Sequence, residues 1–383
     1  MLIYHAELHT MDGAVLAGGW VRTEGARIHS VGPPETCPAA GPDDIDAAGA
    51  VVTPGFIDAH CHIGVFEDAV GEMGEDGNEA SDPVTPHMRG LDAVNPRDRC
   101  FADARRAGVT TVVTGPGSAN PVGGQMAALK TDGRRVDDMV LRAPAAMKFA
   151  MGENPKRTYA GRKAAPFTRM GTAALIREAL FQARAYGARK EKAARSGGDP
   201  PDYHMKWESL LPVLAGAMPA HIHAHRADDI FTALRIAREF ALDAVIIHGT
   251  DAASVADLLA AERVPVVAGP LLVDRSKPEL GSLSFALPAA LYRAGVPAAL
   301  CTDAPVVPPE YLPLCAGLAA KAGLPAEEAL RAVTAAAAAI ARLDHRVGRL
   351  RPGLDADIVI WRGPPLSLEA APAAVFLSGR RAR

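Results

Sequence analysis

Short apolar runs that alternate with stretches of helical periodicity constrain this chain more than any other feature. The runs are "AVVTPGFIDAH" (50–60), "GVTTVVTGPG" (108–117), "AAMKFAM" (145–151), "PAHIHAH" (219–225), "DAVIIHG" (243–249), "VPVVAGP" (264–270) and "VPAALCTDA" (296–304). Between them lie amphipathic segments. Residues 172–194 place Ala174, Leu175, Ala179, Leu180 and Ala183 at helical spacing, and "DDIFTALRIAREFAL" opens with the acidic pair that suits a helix N-terminus. "DAASVADLLAAE" and "AEEALRAVTAAAAAIARL" read as helices too. Strand and helix in repeated alternation predict an α/β chain built on a parallel sheet. With 383 residues available, a (β/α)8 TIM barrel of about 250 residues fits and leaves material over.

The remainder lies at the two ends. "LIYHAELHT", "GGWVRTEGARIHSVG" and "AVVTPG" near the start, and "RVGRLRPGLDADIVIWRG" and "AAVFLSGRRAR" near the finish, are short alternating runs broken by Gly and Pro, the texture of hairpins. The expectation is a small β-sandwich domain from residues 1–54 plus 346–383, and a barrel domain from 55–345. Residues 71–95 and 194–204 read as long loops, and the pair Gly123–Gly124 before Gln125 as a turn or a place of close backbone approach to a ligand.

Composition removes several function classes. A net charge of −3 and 5% aromatic residues provide no basic, aromatic-interleaved surface for nucleic acid and no cationic face for a membrane. No stretch is long and apolar enough for a membrane span, and "MLIYHAELHTMDG" lacks the layout of a secretory leader. Five cysteines without CxxC spacing predict free thiols in the cytoplasm. A small-molecule substrate is the expected partner; homo-oligomerisation stays open.

The polar residues point further. In a parallel barrel every strand finishes at one face, which carries the chemistry. His60 and His62 close the first strand, two apart and so facing one side. Lys148 interrupts an apolar run; His221, His223 and His225 end the next; His248 closes "AVIIH" and Asp303 closes "AALCTD". A lone histidine on an apolar strand is ordinarily a satisfied core residue. Five strands each delivering a ligand-type side chain to one rim predict a metal centre. Cys61, between two histidines and facing away from them, reads as packing.

The segment "PGFIDAHCH", the ordered series Lys148, His223, His248 and Asp303, and the closing "VGRLRPGLDADIVIWRG" resemble the amidohydrolase superfamily, with the texture of its imidazolonepropionase-like and prolidase-like branch. The resemblance covers essentially the whole chain. It implies that His60 and His62, with Asp303, bind the more buried ion. His223 and His248 would hold a second ion, or face the hydrolytic water in a one-metal enzyme. Positions 221, 223 and 225 share a face, so pattern alone does not choose among them; the resemblance favours His223 and leaves His225 to touch substrate. Relatives with two metals carboxylate the lysine that matches Lys148, because an ammonium beside a dication is electrostatically unreasonable. Glu153 is the fallback bridging ligand.

The reaction so implied is hydrolysis of a C–N bond in an amide or cyclic amide by metal-bound hydroxide, with Asp303 as general base and one or two divalent ions, zinc foremost. Arg226, Glu153, Asn154, Lys156 and Arg157 fall in loops at the same rim and are candidates for substrate contact, a guanidinium there suiting a carboxylate. Two alternatives remain on sequence grounds. Deaminase relatives carry a Glu three residues after the strand-five histidine, where this chain has Arg226. A non-catalytic scaffold on the same fold would have lost ligands, and here none of the expected positions is missing.

Overall fold

The computed structural model describes residues 1–382. Eight strands form the central sheet: β1 (Phe56–Cys61), β2 (Val109–Thr114), β3 (Val122–Lys130), β4 (Val140–Ala150), β5 (Ala220–Ala224), β6 (Ala244–His248), β7 (Val266–Ala268) and β8 (Ala298–Leu300). They are hydrogen-bonded neighbours in that order. The sheet is nearly closed into a barrel. Just beyond β8 the chain returns to β1 through Asp303 N–H to His60 O (3.1 Å) and His62 N–H to Ala304 O (2.7 Å).

One strand departs from the all-parallel expectation. β3 runs antiparallel to both β2 and β4, while the other pairings are parallel. Loop length explains it. Only residues 115–121 separate β2 from β3, far short of the dozen or so that a parallel crossover needs. The Gly123–Gly124 pair therefore lies inside a strand rather than in a turn. Gly124 has φ +128°, and a Cβ there would stand 2.6 Å from Met88 O, so the close approach is to the chain's own loop. Gln125 Nε2 likewise donates to Pro86 O (3.3 Å).

The long helix runs Arg169–Ser196, capped by the Thr168 side chain accepting from Gly171 N–H. Ala227–Phe240 carries Asp228 and Asp229 in its first turn. The Ala-rich segment expected as one helix is two, Ala326–Ala332 and Ala335–Ile340. The break frees Val333 O to accept from Ile57 N–H of β1 at 2.7 Å, so a barrel strand gains the bond that the helix gives up.

The expected sandwich is seen only to the extent that the two chain ends come together in one hydrogen-bonded sheet. Its order is Arg380–Arg381, Ala371–Leu377, Ile358–Arg362, Val51–Pro54, Leu2–Leu8, Leu16–Glu24 and Arg27–Gly32, with Ile45–Asp46 pairing off Leu2–Leu8. Ile3, Leu8, Val21, Ile28, Val52, Ile358 and Phe376 fill a core of its own. A buried ionic knot ties this sheet's approach segment to the barrel: Lys130 at the end of β3 meets Asp355 (3.1 Å) and Asp357.

Candidate metal centre

Strand register brings the polar groups together. On β4 and β5, Lys148 stands opposite His221, and alternation puts Lys148, His221 and His223 on the inner face. There Ala146, Val245 and Ile247 form the floor of apolar packing. His248 follows inward Ile247, and its backbone turns left-handed, φ 75°; Asp303 beyond β8 does the same at φ 55°. Such a backbone costs a non-glycine residue on the order of 1–2 kcal/mol. Both instances fall where a side chain joins the cluster.

Two groups of donors result. His60, His62 and Asp303 form one; His223, His225 and His248 the other; within each the donor atoms lie within 4.8 Å of one another. Asp303 Oδ1 is 3.2 Å from His62 Nε2 and 3.7 Å from His60 Nε2. Ring centroids of His60 and His248 are 5.7 Å apart, so the groups adjoin. His225 stacks on His248 at 4.6 Å. Of the three histidines that the pattern left open, His223 and His225 converge with His248. His221 joins neither group, and both its ring nitrogens are buried without a hydrogen-bond partner.

The far nitrogens fix three of the rings. His62 Nδ1 pairs with Gly115 O (2.8 Å), His248 Nδ1 with Gly269 O (2.7 Å) and His225 Nδ1 with Thr250 Oγ1 (2.7 Å). An Nδ1–H held by a carbonyl leaves Nε2 with its lone pair free, the tautomer a metal needs. Burial keeps four of the imidazoles neutral: it pushes His225 down to about 4 and His60, His223 and His248 well below the ordinary histidine value; neighbouring cationic groups add to it, while Glu279 at His225 and Asp303 at His248 partly oppose it. Burial alone would raise Asp303; His248, His62 and Lys148 outweigh it and hold the carboxyl well below its usual range. Neutral rings beside an ionised carboxylate are the donor state that a divalent ion requires. A tetrahedral zinc separates its donors by about 3.4 Å, close to the spacings around Asp303. The residues fit the group.

Lys148 is wholly buried, with Nζ 2.8 Å from His60 Nε2. Burial pushes it from 10.5 down to about 8, a fall that Asp303 and Cys301 partly oppose.

Above the donors opens a cavity of about 630 Å³, lined among others by Asn154, Lys277, His223, His225 and Asp303. Asn154 does reach the cavity, but from the first turn of a helix, Glu153–Ala160, rather than from a loop; its Nδ2 donates to Ser118 Oγ (2.8 Å) and lies 3.4 Å from His223 Nε2. Arg226 does not: its guanidinium forks onto Asp228 at 2.9 and 3.0 Å on the exposed side. The Glu153 carboxylate faces Arg157 at 3.6 Å and belongs to neither donor group. Lys156, half-buried, and exposed Arg157 do not line the cavity. Two residues that sequence reading missed take part instead. Lys277 supplies a cation, its Nζ donating to Asn154 Oδ1 (3.2 Å). Glu279, 2% exposed, lies 3.7 Å from His225 Nε2 and 3.9 Å from His223 Nε2. The only hint of either was that "LLVDRSKPELG" follows a barrel strand and so must lie over the rim.

Comparison with known proteins agrees with this geometry. The profile of the Amidohydrolase family matches residues 51–381. The chain belongs to that family. Within it, the kinship is with the imidazolonepropionase-like branch of the amidohydrolase superfamily. An imidazolonepropionase of Anaeromyxobacter dehalogenans is 30% identical over 91% of this chain and 85% of its own. The amidohydrolase tasK of Hapsidospora irregularis is 30% identical over 87% of this chain, which spans only 36% of that longer protein. A crystal structure of an amidohydrolase from Thermotoga maritima superposes with TM-score 0.95 at 41% identity, over 100% of this chain and 99% of that one. Among the described residues, no helix of this amidohydrolase is long and apolar enough to cross a membrane.

Proposed function

We propose that this amidohydrolase is a metal-dependent hydrolase of a carbon–nitrogen bond in a small amide or cyclic amide. The observation that carries the reading is the convergence of His60, His62 and Asp303 with His223, His225 and His248 in two adjoining donor groups, four of whose members line one cavity. His60, His62 and Asp303 would hold one divalent ion, zinc foremost, and the second histidine group another. An ion so held lowers the pKa of water from 15.7 to about 7 and polarises a carbonyl.

The chain's own groups supply the rest. Asp303 takes the proton of the attacking water at its carboxylate and hands it to the departing nitrogen, which leaves as an amine. His248, held through Nδ1 by Gly269 O, keeps its Nε2 lone pair for the second histidine group, where it would act as a ligand rather than as a proton donor. Lys148, buried and with its ammonium form disfavoured, is the proposed site of a carbamate, since only a neutral amine adds carbon dioxide. Asn154 and Lys277 orient the substrate, and Lys277 favours one that carries a carboxylate. The division into residues 1–54 plus 346–383 and residues 55–345 leaves all of these groups on the barrel unit.

The test is metal analysis of the purified protein, followed by a screen of imidazolone, hydantoin, N-acyl amino acid and Xaa-Pro compounds against wild type, His60→Ala and Asp303→Ala. Bound transition metal, and turnover that both variants abolish, are expected. A protein that holds no metal and turns over equally in both variants refutes the reading. Release of ammonia with the ring intact would make the reaction a deamination instead.

A further inference from the structure

Glu279 is a carboxylate with nowhere obvious to put its charge. It sits in the short turn Pro278–Leu280 and is 2% exposed. Its Oε2 accepts from Glu153 N–H (3.2 Å). Its Oε1 is buried and has no hydrogen-bond partner. That atom faces His225 Nε2 at 3.7 Å, His223 Nε2 at 3.9 Å and Lys277 Nζ at 3.9 Å. Lys277 is only a partial counter-charge, because it is 30% exposed and already donates to Asn154 at 3.2 Å. Burying a carboxylate is costly unless it is paired or coordinates a metal. The chain nevertheless builds a tight seat for it: a Cβ on Gly152, at φ +78°, would stand 2.8 Å from Glu279 Oε2.

Resting on the metal reading of the site above, we propose that Glu279 is the anionic fourth ligand of the His223–His225–His248 group, which makes that group a metal centre in its own right. Three imidazoles and one carboxylate are a complete tetrahedral donor set for zinc or cobalt. From Glu279 to His225 and His223 the spacings of 3.7 and 3.9 Å need to close by only a few tenths of an ångström to reach the roughly 3.4 Å that such an ion imposes, while the three imidazole donors, within 4.8 Å of one another, draw in further as the ion binds. The charge logic is consistent on both sides. His60, His62 and Asp303 pair two rings with one carboxylate, and Glu279 gives the other group its own anion. The second ion then depends on Glu279 rather than on Lys148 for its negative ligand. The arrangement also accounts for Arg226: with a carboxylate arriving from the loop after β7, the position three residues past His223 is released to the surface.

The experiment compares wild type with Glu279→Gln and Glu279→Asp. Each protein is stripped with a chelator, reloaded by titration with Co²⁺ alone, and read by elemental analysis and by the visible absorption of protein-bound cobalt. Thermal unfolding of each apo-protein shows that it is folded. Glutamine keeps the shape and the acceptor for Glu153 N–H but removes the anion. Wild type is expected to take two ions per chain, and Glu279→Gln one, or a second one at least about 10²-fold more weakly. Glu279→Asp recovers part of the loss. Should Glu279→Gln fail to fold, His225→Gln empties the same centre and is read in the same way. Two ions with unchanged affinity in Glu279→Gln overturn the proposal. So does a wild type that takes a single ion, kept in Glu279→Gln and lost in Asp303→Ala. A wild type that takes no ion overturns the metal reading itself, an outcome distinct from both.

Discussion

Replacing Lys130 by methionine tests how the terminal sheet is fastened to the barrel, and it needs no substrate. Lys130 is buried, with its ammonium against Asp357 and 3.1 Å from Asp355. Removing it does not strand both carboxylates equally. Asp355 keeps the Arg346 fork at 3.0 and 2.9 Å. Asp357, 4% exposed, keeps only the Ser378 N–H at 2.9 Å. The cost is therefore that of one uncompensated buried carboxylate, at the low end of the 3–5 kcal/mol range, or about 3 kcal/mol. With an unfolding entropy of about 2 cal/mol/K per residue, a cooperative chain of 383 residues loses about 4 °C in Tm. The double variant Lys130→Met/Asp357→Leu removes the stranded charge as well and recovers most of the loss, because an apolar pair of similar volume replaces a buried ion pair at little cost. Scanning calorimetry of wild type, the single and the double variant measures this. A single variant with unchanged Tm, or a double variant less stable than the single, refutes the reasoning. Acid acts on the same knot. Burial would raise Asp355, but Arg346 and Lys130 outweigh it and hold the carboxyl below its ordinary 3.8. Its contribution is thus complete above about pH 4 and is lost as the pH falls through the folded-state value.

Three further outcomes follow from the site. Asp303→Asn keeps the shape but not the base, so kcat falls about 10²–10⁴-fold, roughly 3–5 kcal/mol of activation barrier, in steady-state assays with any substrate the screen finds. Gly269→Ala puts a Cβ 2.3 Å from Cys301 O at φ +140°; it lowers Tm and, by moving the carbonyl that holds His248, lowers kcat as well. Arg226→Ala breaks only the surface fork with Asp228 and leaves kcat/KM within about twofold, a result that kinetics checks directly.

The candidate residues were legible because each was a polar group inside or at the end of an otherwise apolar run. Alternation and the common rim of a barrel then did the rest for His60, His62, Lys148, His223 and Asp303. What stayed hidden depends on how loops fold back. The run 122–130 is rich in Gly and Ala and has little β-branched character, so nothing local marked it as a strand, still less an antiparallel one. Its direction was set by the short connection from β2. The break at Val333–Thr334 interrupts a pattern that is continuous in sequence, because the deciding bond is to Ile57 in β1. Glu279 and Lys277 carry no periodicity at all. Their roles arise when the loop after β7 closes over the cavity, and that same fold-back leaves Arg226 outside.

Anomalous diffraction at the zinc and cobalt edges, on crystals of the metal-loaded protein, tests the central claim most directly. The account predicts a peak within ligand distance of His60 Nε2, His62 Nε2 and an Asp303 carboxylate oxygen. A cavity floor without any anomalous peak under saturating metal, with the five histidines and Asp303 ordered as described, would contradict it.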